Sequence, residues 1–301
     1  MTELTDFQKQ FAASEIEYRF NEPMANHTSF RIGGDVEVMV FPKTQEELGR
    51  LLRDAKSYGI TPRILGAGTN VLAPDEGIRG LVICLKDCMD GMERIDDTHV
   101  RIAAGVTMTR AAVYAANLGL SGLEFAHGIP GTVGGGVYMN AGAYGGEICQ
   151  VCTSVDVMHE DGSVHTYSCD EMKFSYRHSV LEDEGGIVLS AVFELTPMEP
   201  DKIKAAMKEL MTKRSASQPL DLPSAGSAFK RPVGGYAAAL IDQTGLRGFT
   251  VGGAGISTKH AGFAVNLGGA TAEDVKSLLK QVADLVYERF DIRLEPEIRI
   301  W

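Results

Sequence analysis

What the chain lacks narrows its function before any motif is read. It lacks a basic excess. Lys and Arg total 29 against 40 Asp and Glu, a formal net charge of -11, so the global positive footprint of a nucleic-acid binder is absent. No apolar run approaches the length that crosses a bilayer. The opening stretch MTELTDFQKQ has no basic start followed by an apolar segment, as a secretory leader would. A cytoplasmic protein is expected, with no nucleic-acid partner and no membrane insertion. The seven histidines show no HxxxH or HExxH spacing, so no metal is expected. The five cysteines, Cys84, Cys88, Cys149, Cys152 and Cys169, are an odd number and do not suggest a disulfide framework. Cys149 and Cys152 spell CxxC, but within ICQVCTSVDVM, which reads as a strand. Residues three apart on a strand face opposite ways, which favours buried thiols over a shared metal. Internal repeats and low-complexity segments are also missing.

What is present is a core-forming composition. The 301 residues are 44% hydrophobic and 23% charged, enough for two or three domains. Residues 1–25 read as a short helix and a lead-in. VEVMVF (36–41) reads as a strand. Thr44 then looks like a helix N-cap, with Glu47 completing a capping box. A helix follows with Leu48, Leu51, Leu52, Ala55 and Tyr58 on one stripe, stopped by Gly59. Strands are expected at 62–65 and 81–85, around the turn Gly66-Ala67-Gly68-Thr69-Asn70. In the middle section a strand at 100–104 leads into a helix at 107–118. Two glycine-rich stretches follow, GIPGTVGGG (128–136) and NAGAYGG (140–146). Strands are then expected at 149–159, 163–167 and 187–195. The last section has helices at 201–214, 236–244 and 271–290 and strands at 249–256, 262–267 and 292–300. The 271–290 helix has the strongest stripe: Val275, Leu278, Leu279, Val282, Leu285, Val286 and Phe290.

Small residues in GAGTN would let backbone amides approach a phosphate. Taken alone, the turn is better read as having no ligand. It lacks the third glycine of GxGxxG, and no GK[ST] follows. GIPGTVGGG implies backbone packed against something flat or charged. Two separate glycine loops suit an extended ligand with a central pyrophosphate, such as a flavin dinucleotide. A structural loop between subdomains explains the second one equally well. PSAGSAFKRP, FSYRHS and LEPEIRIW offer Ser224, Ser227, Arg177, Glu295 and Glu297 as polar candidates. Singly, each is better explained as a solvent-exposed residue.

Together the segments form an ordered set. TSFRIGG (28–34), LGAGTNVLAPDEGIRGLVI (65–83), GIPGTVGGGVYMNAGAYGGEI (128–148), FSYRHS (174–179), PSAGSAFKRP (223–232), ISTKHAGFAVN (256–266) and LEPEIRIW (294–301) resemble the UDP-N-acetylenolpyruvoylglucosamine reductase family in the right order. The resemblance runs from about His27 to residue 301. With no inserted tyrosine-bearing substrate loop, the chain looks like the shorter of the family's two types.

The resemblance implies an α+β fold: an FAD-binding domain of the vanillyl-alcohol oxidase/p-cresol methylhydroxylase type in two subdomains, plus a C-terminal α+β substrate domain. The implied divisions are 1–80 (lead-in and first FAD subdomain), 81–198 (second) and 199–301 (substrate domain). Implied cofactor residues are Arg31, Gly66, Ala67, Gly68, Thr69, Asn70, Val71, Leu72, Gly128, Ile129, Pro130, Gly131, Thr132, Gly134, Gly135, Asn140 and Gly142. NADPH is the implied co-substrate, and a monomer is expected. In the implied chemistry a hydride reaches C3 of an enolpyruvyl ether, and charge developing on C2 and the carboxylate is stabilised. Arg177 would bind the carboxylate. Glu297, protonated through a raised pKa, would be the second stabiliser. Ser227 would protonate C2. Tyr176, Lys213, Lys230, Arg231 and His260 are the implied substrate-binding residues. Two positions depart from the family. Ser217-Gln218-Pro219 stands where many relatives read KQP, so a phosphate-binding lysine is either missing or replaced by Lys213 or Arg214. Ala228-Phe229 replaces a frequent aromatic pair. The competing readings are a flavoenzyme with another electron acceptor and a non-catalytic flavin- or nucleotide-binding module.

Overall fold

The protein is described by a computed structural model covering Lys9 and residues 15–301. The chain forms two units, each with its own hydrophobic core. The first takes residues up to Phe20, Val38–Ala67 and Gly80–Lys213; the second takes Asn21–Glu37, Gly68–Arg79 and Arg214–Trp301.

In the first unit, the helix Gln45–Ser57 forms where its stripe predicts. Thr44 caps it by accepting the Glu47 amide at 3.2 Å. The box is not reciprocal, because the Glu47 carboxylate accepts from the Lys43 amide, one residue before the cap. Leu48, Leu51, Leu52 and Ala55 are buried, whereas Tyr58 sits past the helix end and is 53% exposed. Strand Arg63–Leu65 pairs in parallel with Ile78–Cys84, with Leu65 opposite Cys84. They belong to a sheet whose strands in this unit run in the order 17–20, 38–41, 80–84, 63–65. Glu17–Pro23 is thus a strand, not a lead-in. Of the expected amino-terminal helix only Lys9 is among the described residues, and it is helical.

The unit's larger sheet is antiparallel, ordered Val164–Ser168, Cys152–Met158, Ile187–Glu194, His99–Ala103, Met92–Arg94. Ile187–Glu194 lies at its centre and buries every residue but the last, as expected of a strand covered on both faces. The helix Met108–Asn117, capped by Thr107, adds Ala111, Ala112, Ala115 and Ala116 to the core. Two expectations fail here. Cys149 lies in a short 3-10 turn, Ile148–Gln150, and only Cys152 begins the strand. The glycine-rich stretch is not all loop, because Val133–Tyr138 is a short helix capped by Thr132.

The second unit has a four-stranded antiparallel sheet ordered Ser224–Ser227, Phe263–Asn266, Ala254–Ile256, Thr250–Val251. The expected strand at 249–256 is therefore a hairpin. Helix Ala272–Phe290 shares its core through Val275, Leu278, Leu279, Val282 and Val286; a fully buried side chain of this type contributes about 1.5–3 kcal/mol. A complete capping box, Thr271 with Asp274, opens that helix. Phe30, Ile32 and Leu72 belong to the same core. Strand Arg299–Ile300 runs parallel to Val71–Leu72. The long final strand expected at 292–300 is reduced to this pair and one isolated bridge, Phe229 with Pro296. Pro296 has no amide hydrogen to extend a ladder. Ile298 is buried but Ile300 is 49% exposed.

Candidate active site

In the first unit Gly66, at the start of the first glycine loop, meets the second loop at Thr132. A Cβ on Gly66 would lie 2.6 Å from Thr132 Oγ1, so the loops approach more closely than any side chain at 66 permits. Thr132 is buried, accepts the Gly135 amide, and forms a bridge with Thr107. Its helix is glycine-rich for packing reasons. A Cβ on Gly134 would sit 2.8 Å from that of Ala104, and one on Gly136 would sit 2.7 Å from Met108 Sδ. Gly131 has a left-handed φ of +132°, and its carbonyl accepts the Met108 amide. Gly135 meets nothing closer than Thr132 Oγ1, its own cap, at 3.7 Å. This bare backbone, open beside Gly135, fits the pyrophosphate of an extended dinucleotide.

Arg177 also belongs to the first unit. It is the third residue of a tight turn closed by reciprocal bonds between Ser175 and His178, and its φ is +56°. Its guanidinium donates to the Gly142 carbonyl at 3.1 Å and lies 5.0 Å from the centre of the exposed Tyr176 ring. Asn140 is buried, and both ends of its amide bond to protein groups. Its side chain is therefore committed within the protein. Lys213 is exposed and paired with Glu209 at 2.6 Å, whereas Arg214, counted with the second unit, is buried.

The second unit gathers Ser227, Glu297 and the loop Gly68–Leu72. The Glu297 amide donates to the Ala228 carbonyl at 3.0 Å, and the Lys230 amide donates to Glu295 at 2.8 Å. Ser227 and Glu297 thus sit on adjacent paired segments, Ser227 exposed and Glu297 half-buried. Asn70 Nδ2 donates to the Glu297 carbonyl at 3.3 Å, and the Arg299 amide donates back to Asn70. Gly68, at φ +62°, accepts the Ser29 amide. Arg31 is exposed in the adjoining loop and also has a left-handed φ, +57°.

The remaining substrate candidates lie in this unit. Lys230 Nζ is 3.6 Å from Glu295. Arg231 stacks on Tyr236 at 4.5 Å. His260 accepts the Gly262 amide on Nδ1, and burial, with Arg247 adding to it, lowers its pKa. Sequence reasoning missed two groups. Ser29 Oγ donates to the Ser224 carbonyl at 2.6 Å, pinning the TSFRIGG segment to the strand that ends at Ser227. Lys259 Nζ donates to the Ser215 carbonyl at 2.6 Å, which puts a cation two residues from Ser217. The signal was its place in ISTKHAGFAVN. Among the described residues no cluster of three or more His, Cys, Asp or Glu could hold a metal.

Residues 36–168 match the family model described as FAD binding domain. With the paired glycine loops, this defines an FAD-binding flavoprotein. Residues 218–301 match the model of the UDP-N-acetylenolpyruvoylglucosamine reductase C-terminal domain. A Latilactobacillus sakei protein named UDP-N-acetylenolpyruvoylglucosamine reductase is 44% identical over 96% of this chain and 95% of its own. One of the same name from Lactobacillus helveticus is 45% identical over 99% and 98%. The crystal structure of the Thermus caldophilus reductase superposes with a TM-score of 0.80 at 37% identity, covering 95% of this chain and 99% of that one. The chain belongs to the UDP-N-acetylenolpyruvoylglucosamine reductase family of FAD-dependent oxidoreductases.

Proposed function

We propose that the protein reduces the enolpyruvyl ether of UDP-N-acetylglucosamine enolpyruvate to UDP-N-acetylmuramate with NADPH, as a cytoplasmic monomer in peptidoglycan precursor synthesis. Bound FAD supplies the two-electron chemistry between the nicotinamide and C3 of the substrate. The polypeptide's part is to bind, orient and protonate. Arg177 holds the substrate carboxylate through a planar, permanently charged guanidinium. Glu297, in its protonated form, donates a hydrogen bond to the charge that builds on the carboxylate as C3 is reduced. Ser227 gives its hydroxyl proton to C2; a weak acid suffices because the enolate carbon is a strong base held within hydrogen-bond reach. Lys230, Arg231, Lys213, Tyr176 and His260 are assigned to the sugar nucleotide. Residues 1–80 and 81–198 are assigned to the flavin, and 199–301 to the substrate.

The observation that carries this assignment is the pairing of the Ser227 and Glu297 segments in one unit, with Asn70 of the glycine loop bonded to Glu297. The test is spectroscopic. NADPH should bleach the flavin of the holoprotein, and the enolpyruvyl sugar nucleotide should restore its colour. Ser227→Ala should bleach normally but recover about a hundredfold to ten-thousandfold more slowly. Normal recovery in that variant would remove Ser227 as the proton donor. A flavin that NADPH cannot bleach would point to a binding module instead.

A further inference from the structure

We propose that Asn140 is a positioning residue for Arg177, which its buried side chain locks to the hairpin that anchors the guanidinium. The inference rests on the role assigned to Arg177 above.

Asn140 is only 1% exposed and has a left-handed φ of +41°, a conformation that asparagine tolerates better than most residues. Its Oδ1 accepts the Cys149 amide at 3.0 Å. Its Nδ2 donates to the Ser175 carbonyl at 3.0 Å and to Glu147 Oε2 at 3.2 Å. One amide thus joins its own segment to residues 147 and 149, just beyond the hairpin turn, and to Ser175, 35 residues further along the chain. The Ser175 carbonyl also accepts the His178 amide that closes the turn carrying Tyr176 and Arg177. Glu147 pairs in register with Gly142, whose carbonyl accepts from Arg177 Nη2. Both ends of Arg177 therefore refer to Asn140: its backbone through Ser175, and its guanidinium through the hairpin Gly142–Glu147.

The geometry accounts for the tie. An arginine side chain has four rotatable bonds, and its turn lies on the surface, with Ser175 and Tyr176 exposed. Of the other bonds that hold the turn to its surroundings, Ser179 Oγ to the Tyr138 carbonyl at 2.8 Å leads to the same stretch, just before Asn140. Without the Asn140 donors, the turn and the hairpin lose the one buried side chain to which both are bonded. A displacement of about 1 Å at a reacting group can cost a hundredfold in rate.

The test separates the two half-reactions in flavin-loaded protein by stopped flow. Asn140→Asp keeps the acceptor for Cys149 and tolerates the backbone but loses the donors. Asn140→Gly keeps the backbone without placing a carboxylate beside Glu147, and so serves if the aspartate variant does not fold. Flavin content and the rate of reduction by NADPH are read first, and the loss in reoxidation is taken relative to any loss in reduction. Reoxidation by the enolpyruvyl sugar nucleotide should slow about ten- to a hundredfold. Arg177→Ala should slow it at least as much, and adding either Asn140 change to Arg177→Ala should cost nothing further, because both act through one group. Wild-type reoxidation in the Asn140 variants alongside an impaired Arg177→Ala would overturn the inference alone. So would equal losses in both half-reactions, or multiplicative losses in the double variant. Wild-type reoxidation in Arg177→Ala would overturn the assignment of Arg177 and the inference with it.

Discussion

Replacing Gly68 with alanine measures how closely the glycine loop approaches the segment before it. The residue has φ +62°, and a Cβ there would lie 2.0 Å from the His27 carbonyl oxygen. A left-handed conformation costs an L-residue about 1–2 kcal/mol. The obstacle is backbone, so no side chain can swing aside. The two strands of chain must part by more than an ångström to reach ordinary contact, which begins at 3.4 Å. That movement breaks the 3.0 Å bond from the Ser29 amide to the Gly68 carbonyl, worth about 1 kcal/mol. The backbone cost, the lost bond and about 1–3 kcal/mol for forcing the two segments apart together come to about 3–6 kcal/mol. Gly59→Ala is the control. Its φ is +68°, but nothing lies within 4 Å of the added Cβ, so only the about 1–2 kcal/mol backbone cost applies. Thermal unfolding of flavin-stripped protein keeps ligand binding out of the comparison. At about 2–4 °C per kcal/mol, Gly68→Ala should melt several degrees below Gly59→Ala. Equal melting temperatures would refute the close approach.

Two further predictions concern titration. Asp96 Oδ1 accepts the Thr98 amide and the His99 ring and amide, which hold its pKa at about 2, below the ordinary 3.8. The folded protein therefore keeps this carboxylate ionised where the unfolded chain already binds a proton. Its contribution to stability is full above the unfolded value and is lost as pH falls through 2. Asp96→Asn should be less stable than wild type near neutrality, and the gap should close between pH 4 and 2; a gap independent of pH would contradict the assignment. Burial pushes the Cys152 thiol up to about 12 and Cys88 up to about 11. At pH 8 neither should be alkylated by iodoacetamide in the folded protein, and both should react in denaturant, as read by mass spectrometry. Rapid native labelling of Cys152 would refute its burial.

How much was legible in the sequence depended on whether the signal was local. Helix Ala272–Phe290 could be read because its stripe and Thr271 both lie in the segment itself. Strand Ile187–Glu194 could be read because a central strand is a continuous apolar run. Helix Val133–Tyr138 could not, because three glycines oppose helix by propensity. Two of them, Gly134 and Gly136, sit where Ala104 and Met108 leave no room for a Cβ. The tail failed for another reason: a long strand was expected at 292–300, but Pro296 and the lack of a long partner leave two short contacts. In the candidate site, Ser227, Arg177 and Glu297 were legible only as expectations carried by the family resemblance of the ordered motifs. No spacing rule could show that Asn140 would be tied to residues 147, 149 and 175. Nor could one place Lys259 beside Ser215.

The core of the second unit is stitched from three distant stretches, and this sets a timetable for synthesis. Phe30, Ile32 and Leu72 are made early, yet they bury against residues from 225 onward. Their strand partner for Val71–Leu72 is Arg299–Ile300. A ribosome working from the amino terminus must hold those early apolar side chains without their native cover while more than two hundred further residues emerge. During that interval they are a natural target for chaperones, and a stalled nascent chain would leave them exposed.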